Sequence, residues 1–122
     1  MRDWLSNITK QHGTALAIAG CYVAVAGLSL VPEVYRLRVP GFSDTIEHLV
    51  AYLVLGMATA TVMRPSIQGP VLIMAIVAFA GILEIGQKLV PCRDASLLDF
   101  GAGALGAAIG VSISRLVRAQ QA

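Results

Sequence analysis

Charge is what this chain has least of: 13% of its 122 residues are Asp, Glu, Lys or Arg, while 57% are apolar. A soluble fold of this length has too little interior to hide that much apolar surface, so a membrane domain is expected instead. Short segments of alternating polarity are absent, which excludes a transmembrane β-barrel. Cysteine occurs twice. Cys21 falls within an apolar run and Cys92 in a turn, about half a membrane apart in depth, beyond the roughly 7 Å between Cα atoms that a disulfide allows. No HxxxH, HExxH or paired-thiolate pattern is present, so neither a metal nor another cofactor is expected. The net charge is +2, but the basic residues are scattered over the ends of the apolar runs rather than gathered into a stripe, which argues against a nucleic-acid partner.

What the sequence does have is four long apolar runs. Residues 14–31 carry no charge, residues 46–63 are apolar after Glu47 and His48, residues 70–90 are apolar until Glu84, and residues 95–116 contain one carboxylate, Asp99, before Arg115. Each is long enough to cross about 30 Å of hydrocarbon as a helix. Pro32, Pro40, Pro65, Pro70 and Pro91 fall between the runs or at their edges, where a missing backbone donor costs least. The fold expected is all-α, a polytopic membrane protein built as one compact bundle of four transmembrane helices over residues 1–122. Arg2 and Lys10 precede the first run as in a signal peptide, but the run is longer than a signal core and lacks a small-x-small cleavage site. The "IAGC" at residues 18–21 resembles a lipoprotein box, yet an apolar tail follows it where a polar tether belongs. Cys21 is therefore expected to be a small buried hydrophobe in mid-membrane.

With four spans both termini share a side, together with Arg2, Lys10, Arg64, Arg115 and Arg118; the other side holds Arg36, Arg38, Lys88 and Arg93. The positive-inside rule then places both termini in the cytoplasm. Most acidic residues collect on the opposite side. There Asp44, His48 and Tyr52 recur every four residues as one helical stripe, with Ser43 or Asp44 as its cap. Glu84 and Gln87 share a face of the third helix, Arg93 and Asp94 lie in the following turn, and Asp99 is one turn into the fourth helix. These elements converge on one polar pocket of Asp44, His48, Glu84, Gln87, Arg93 and Asp99. Glu84 ends a long apolar stretch, so it should face protein and pair with Arg93 or His48. For Glu84, Arg93, Asp99 and His48 a structural ion pair or cap and a ligand-facing role are equally consistent with the residues. Glu47, Lys88 and Asp94 read as solvated or snorkelling charges, and Tyr52 as a packing residue. His48 is a conceivable general base, but Ser96 has no base at a defined spacing, so no nucleophile is legible.

Ala102, Gly106 and Gly110 are four residues apart on the fourth helix, with Gly103 and Ala107 as an adjacent ridge; such small-xxx-small patterns let helices approach closely in lipid. Gly20, Ala24 and Gly27 make a weaker small face on the first helix. Residues 32–45 form the longest connection. Their Tyr35, Leu37, Val39 and Phe42 among Arg36 and Arg38 suggest an amphipathic interfacial segment over the polar cluster. The terminal segments read as short helix ends, with Trp4 as an interfacial anchor.

Asp44, His48, Ala51, Tyr52, Glu84, Gln87, Arg93, Asp99 and Gly106 together resemble the pattern of the VanZ-like family of small bacterial membrane proteins. That pattern is an Asp, a His four residues on followed by an apolar "AY" segment, E-x-x-Q, an Arg with an Asp six beyond, and a glycine-rich helix. The resemblance spans residues 44–110. Two positions depart from it: Thr45 stands where a lysine is common, and Gly103 where an asparagine is common. The founding member is associated with resistance to the glycopeptide antibiotic teicoplanin. The resemblance implies a cell-envelope role in the bacterial cytoplasmic membrane, with an envelope lipid or lipid-linked precursor as the bound molecule. The glycine ridge and short loops support an alternative, a small accessory subunit of a larger membrane protein complex. A membrane-embedded hydrolase ranks behind both.

Overall fold

A computed structural model describes residues 2–32, 35 and 40–122, the side chains of residues 2 and 3 excepted. It is all-α, with four helices: α1 (Arg2–Leu30), α2 (Asp44–Val62), α3 (Gly69–Gln87) and α4 (Leu97–Gln121). All four are long and apolar enough to cross a membrane. The 19 residues of α2 and of α3 give about 28 Å of helix each, close to the thickness of a hydrocarbon core.

The helix ends follow local chemistry. Ser43 caps α2 by accepting the Ile46 N–H at 3.3 Å, and Asp44 and Glu47 place negative charge in the first turn, where the helix dipole favours it. Pro70 occupies the first turn of α3, where its missing donor has no intrahelical acceptor. Ser96 caps α4 through the Asp99 N–H at 3.3 Å. Three ends differ from those expected. The segment before residue 14 belongs to one unbroken α1; no Pro interrupts it, and Thr9 and Thr14 bond back to the Leu5 and Lys10 carbonyls. α3 stops at Gln87, short of residue 90, because the chain turns through residues 88–92, where Cys92 has φ 61°. α4 continues to Gln121.

Successive helices are antiparallel, so α2 and α4 run parallel, and they form the most extensive contact in the bundle. Their register is fixed along the whole length: Thr45 meets Asp99, Leu49 and Leu53 meet Gly106 and Gly110, and Thr61 meets Ser114. A β-carbon at Gly106 or Gly110 would lie 2.2 Å from the carbonyl oxygen of Leu49 or Leu53, respectively. The two backbones therefore touch without intervening side chains, the close approach expected of a small-residue ridge. The buried face is Gly103, Gly106, Ala107 and Gly110, and Ala102 is only half-buried at its edge. A strict four-residue ladder drifts about 40° per step on a helix of 3.6 residues per turn, so contact alternates between steps of three and four.

The core gathers Leu55 and Ala60 of α2, Leu72, Ile76 and Ala80 of α3, and Val111 of α4. α1 joins from outside through Tyr22 and Val25. The Tyr22 hydroxyl lies 2.8 Å from Thr59 Oγ1. Because that threonine gives its own proton to the Leu55 carbonyl at 2.7 Å, Tyr22 is the donor. Its ring packs edge-on against Phe79 at 5.0 Å. The small face at Gly20 and Gly27 does not serve the bundle: nothing lies within 4 Å of a β-carbon at either. Cys21 is exposed on α1 rather than buried among side chains, because only the Tyr22–Val25–Ser29 face of this helix turns inward.

Candidate functional site

The C-terminal ends of α1 and α3 and the N-terminal ends of α2 and α4 meet at one end of the bundle, and the polar residues collect there. Glu84 is the centre of the arrangement. Its Oε1 faces His48 Nε2 at 3.6 Å, with both side chains 12% exposed. Its Oε2 accepts the Ser96 N–H at 3.2 Å, so it ties α3 to the start of α4. Of the two partners expected for Glu84, His48 is the one that faces it. A carbonyl only accepts, so the 2.8 Å contact between His48 Nδ1 and the Asp44 carbonyl fixes the proton on Nδ1 and turns Nε2 toward Glu84. With the imidazole protonated, this contact is an ion pair.

Arg93 reaches across the bundle end. Its Nη2 donates to the Ser29 carbonyl at 2.7 Å, clasping the last turn of α1, whose terminal carbonyls have no intrahelical partners. Asp99 Oδ1 accepts the Thr45 hydroxyl at 2.6 Å. The Tyr52 ring stacks on His48 at 6.4 Å between centroids and lies against Gly103. Both positions that depart from the VanZ-like pattern thus touch the site: Thr45 holds Asp99, and Gly103 leaves room for the Tyr52 ring.

Two cavities adjoin this cluster. One, of about 360 Å³, is mainly apolar and lies between α1 and α2, lined by Val25, Leu28, Val31, Ala51 and Tyr52, with Glu47 on its wall. The other, of about 240 Å³, is polar, lined by Asp44, Gln87, Cys92, Asp94 and Asp99. His48 and Arg93 line both, so they stand at the junction. Of the six residues read from the sequence, five line the polar cavity, and the sixth, Glu84, sits behind His48 as its support.

Sequence reasoning missed some of the walls. Glu47 and Asp94, read as solvated or snorkelling charges, line the cavities, although Asp94 is also exposed. The contribution of α1 carried no signal, because Val25, Leu28 and Val31 look like any other lipid-facing residues. Tyr35 lies on the apolar wall, while Arg36, Leu37, Arg38 and Val39 of the expected interfacial segment fall outside the described residues. Lys88 caps α3 and is exposed.

The described side chains turn an imidazole, a guanidinium, an amide and carboxylates toward these cavities. Among the described residues no group of three or more His, Cys, Asp or Glu side chains is placed to hold a metal ion. The Ser96 hydroxyl is committed to the α4 cap, and no hydroxyl or thiol of the described residues is hydrogen-bonded to His48. No protein-family model, no curated protein and no solved structure matches the chain.

Proposed function

We propose that this chain is a multi-pass protein of the bacterial cytoplasmic membrane, with both termini in the cytoplasm, that recognises an envelope lipid or lipid-linked precursor. One observation carries the reading: a polar cavity and an apolar cavity share His48 and Arg93 as a common wall. An amphiphile has the same division. Its hydrocarbon chain fits between α1 and α2 against Leu28, Ala51 and Tyr52, and its headgroup fits among the carboxylates and Gln87. Ligand sites of this size, mostly apolar with a few convergent polar groups, bury most of a small molecule. The resemblance of Asp44, His48, Glu84, Gln87, Arg93 and Asp99 to the VanZ-like pattern supports an envelope role.

The test is native mass spectrometry of the protein taken from its own membrane in mild detergent. A lipid or lipid-linked phosphate should leave with the wild type, and its occupancy should fall several-fold in Arg93→Ala. Equal retention by both proteins would sink the proposal.

A second reading rests on α1. Gly20 and Gly27 meet nothing within 4 Å, and the span of α1 has no residue buried in the bundle. This small face fits an accessory subunit of a larger membrane complex. Recovery of the chain alone at native expression level would count against it.

A further inference from the structure

The end of the bundle opposite the cavities carries side-chain charge of one sign. Arg64 follows the last turn of α2, and Arg115 and Arg118 lie near the end of α4, where the apolar runs of both helices give out. Arg118 donates to the Met63 carbonyl at 3.0 Å and to that of Thr61, and Arg115 donates to that of Arg64. Carbonyls of one turn thus hold two guanidinium groups side by side, next to the exposed Arg64. None of the three arginines makes an ion pair among the described residues. The five acidic side chains described, Asp44, Glu47, Glu84, Asp94 and Asp99, all belong to the other end. Arg115 gives an independent indication. Both of its terminal nitrogens lie 3.4 Å from the Arg64 carbonyl oxygen, which already accepts the Ile67 N–H at 3.0 Å. A carbonyl has two lone pairs, so one is left for two long guanidinium contacts. The Arg115 Nε is buried and meets no acceptor among the described residues. A permanent cation is therefore held by one shared, neutral oxygen, and a buried donor left unmet costs stability.

We infer that this end of the bundle binds a phosphate diester of net negative charge, and that its source is the headgroup of an anionic phospholipid. A phosphate supplies what Arg115 lacks, a charge of opposite sign and several acceptors for the guanidinium fork. Arg64 and Arg118 add positive charge on either side. The place favours a lipid as the source, because the arginines stand at the membrane boundary, and Leu116 and Val117 beside them are exposed, an apolar flank for acyl chains. Basic pockets between transmembrane helices bind anionic headgroups by this chemistry. A zwitterionic lipid brings an ammonium as well, which three arginines without a carboxylate repel. The assignment does not rest on the cavities at the other end.

The purified full chain in a neutral detergent is titrated with dioctanoyl phosphatidylglycerol and, separately, with dioctanoyl phosphatidylcholine, and bound lipid is counted by native mass spectrometry. The anionic lipid should bind about tenfold more tightly, the factor given by one well-formed charged contact. Arg115→Gln should lower that ratio several-fold, and the Arg64→Gln/Arg115→Gln double variant should bring it close to one. The Arg64 side chain makes no hydrogen bond among the described residues and the Arg115 contacts are long, so both variants keep the fold. Lys88→Gln removes the same charge as Arg115→Gln from an exposed position at the opposite end, and should leave the ratio unchanged. Equal binding of the two lipids by the wild type, a ratio unchanged in the double variant, or an equal fall in Lys88→Gln overturns the inference. Glycerophosphoglycerol, which lacks acyl chains, should compete at least about tenfold more weakly than the lipid; equal competition overturns the assignment of a lipid as the source.

Discussion

At Gly106 an added β-carbon would lie 2.2 Å from the Leu49 carbonyl oxygen, whereas at Gly101, on the same helix, it would meet nothing within 4 Å. Gly106→Ala must therefore push α4 off α2, at a cost of about 1–3 kcal/mol. Gly101→Ala should stabilise by up to about 1 kcal/mol through helix propensity alone. Thermal midpoints of the two variants in one detergent check the pair, and a similar shift in both would contradict the backbone contact. Thr59 poses a second question at this scale, since it is 5% exposed and accepts from Tyr22. Thr59→Val keeps the shape but strands the Tyr22 hydroxyl inside the bundle, so it should cost about 1 kcal/mol, more than Tyr22→Phe, which removes the donor itself. A double-mutant cycle on denaturation in mixed micelles would measure the coupling.

Among the elements, the C-terminal end of α2 has an unusual cap. Arg118 donates to the carbonyls of Met63 and Thr61, and Arg115 to that of Arg64, so two guanidinium groups from α4 satisfy the orphan acceptors and face the negative end of the dipole. Arg118→Gln should lower stability by about 1 kcal/mol, read as a fall in the unfolding midpoint. The turn from α3 to α4 stores strain at Cys92, with φ 61°, a region that glycine adopts freely. Cys92→Gly should raise the midpoint and Cys92→Val should lower it. Most of the helices were legible in the sequence, because an apolar run near 20 residues leaves the backbone one way to satisfy itself in hydrocarbon. Their ends were less so. The N-terminal extension of α1 is polar and carries no apolar run to mark it, and α3 stops at a turn that no proline marks until Pro91.

For the whole molecule, the polar end of the bundle was legible because carboxylates attached to apolar helices must face protein. Which groups pair was not: Glu84 meets His48 and Arg93 meets Ser29 across different helices, and spacing within one helix does not fix the distance to another. The apolar wall from α1 was invisible, since residues lining a cavity and residues facing lipid share one composition. The proposed orientation has a direct check. Cys92, exposed in the turn at the polar end, should react with a membrane-impermeant maleimide in cells whose outer barrier is permeabilised. Cys21, within the α1 span, should not, because the thiolate that reacts needs water. Labelling of Cys92 only after the cytoplasm is opened would reverse the orientation.

The glycine contact between α2 and α4 has a mechanical consequence. Where α2 and α4 touch backbone to backbone, around Gly56, Gly106 and Gly110, there are no side chains between them to rearrange, so they behave as one stiff beam, with α3 packed along it. α1 is held mainly by the Tyr22 hydroxyl, a few apolar contacts and the Arg93 clasp on Ser29. Any widening of the bundle therefore falls to α1, swinging like a door on that beam, and the doorway opens sideways toward the bilayer rather than upward toward water.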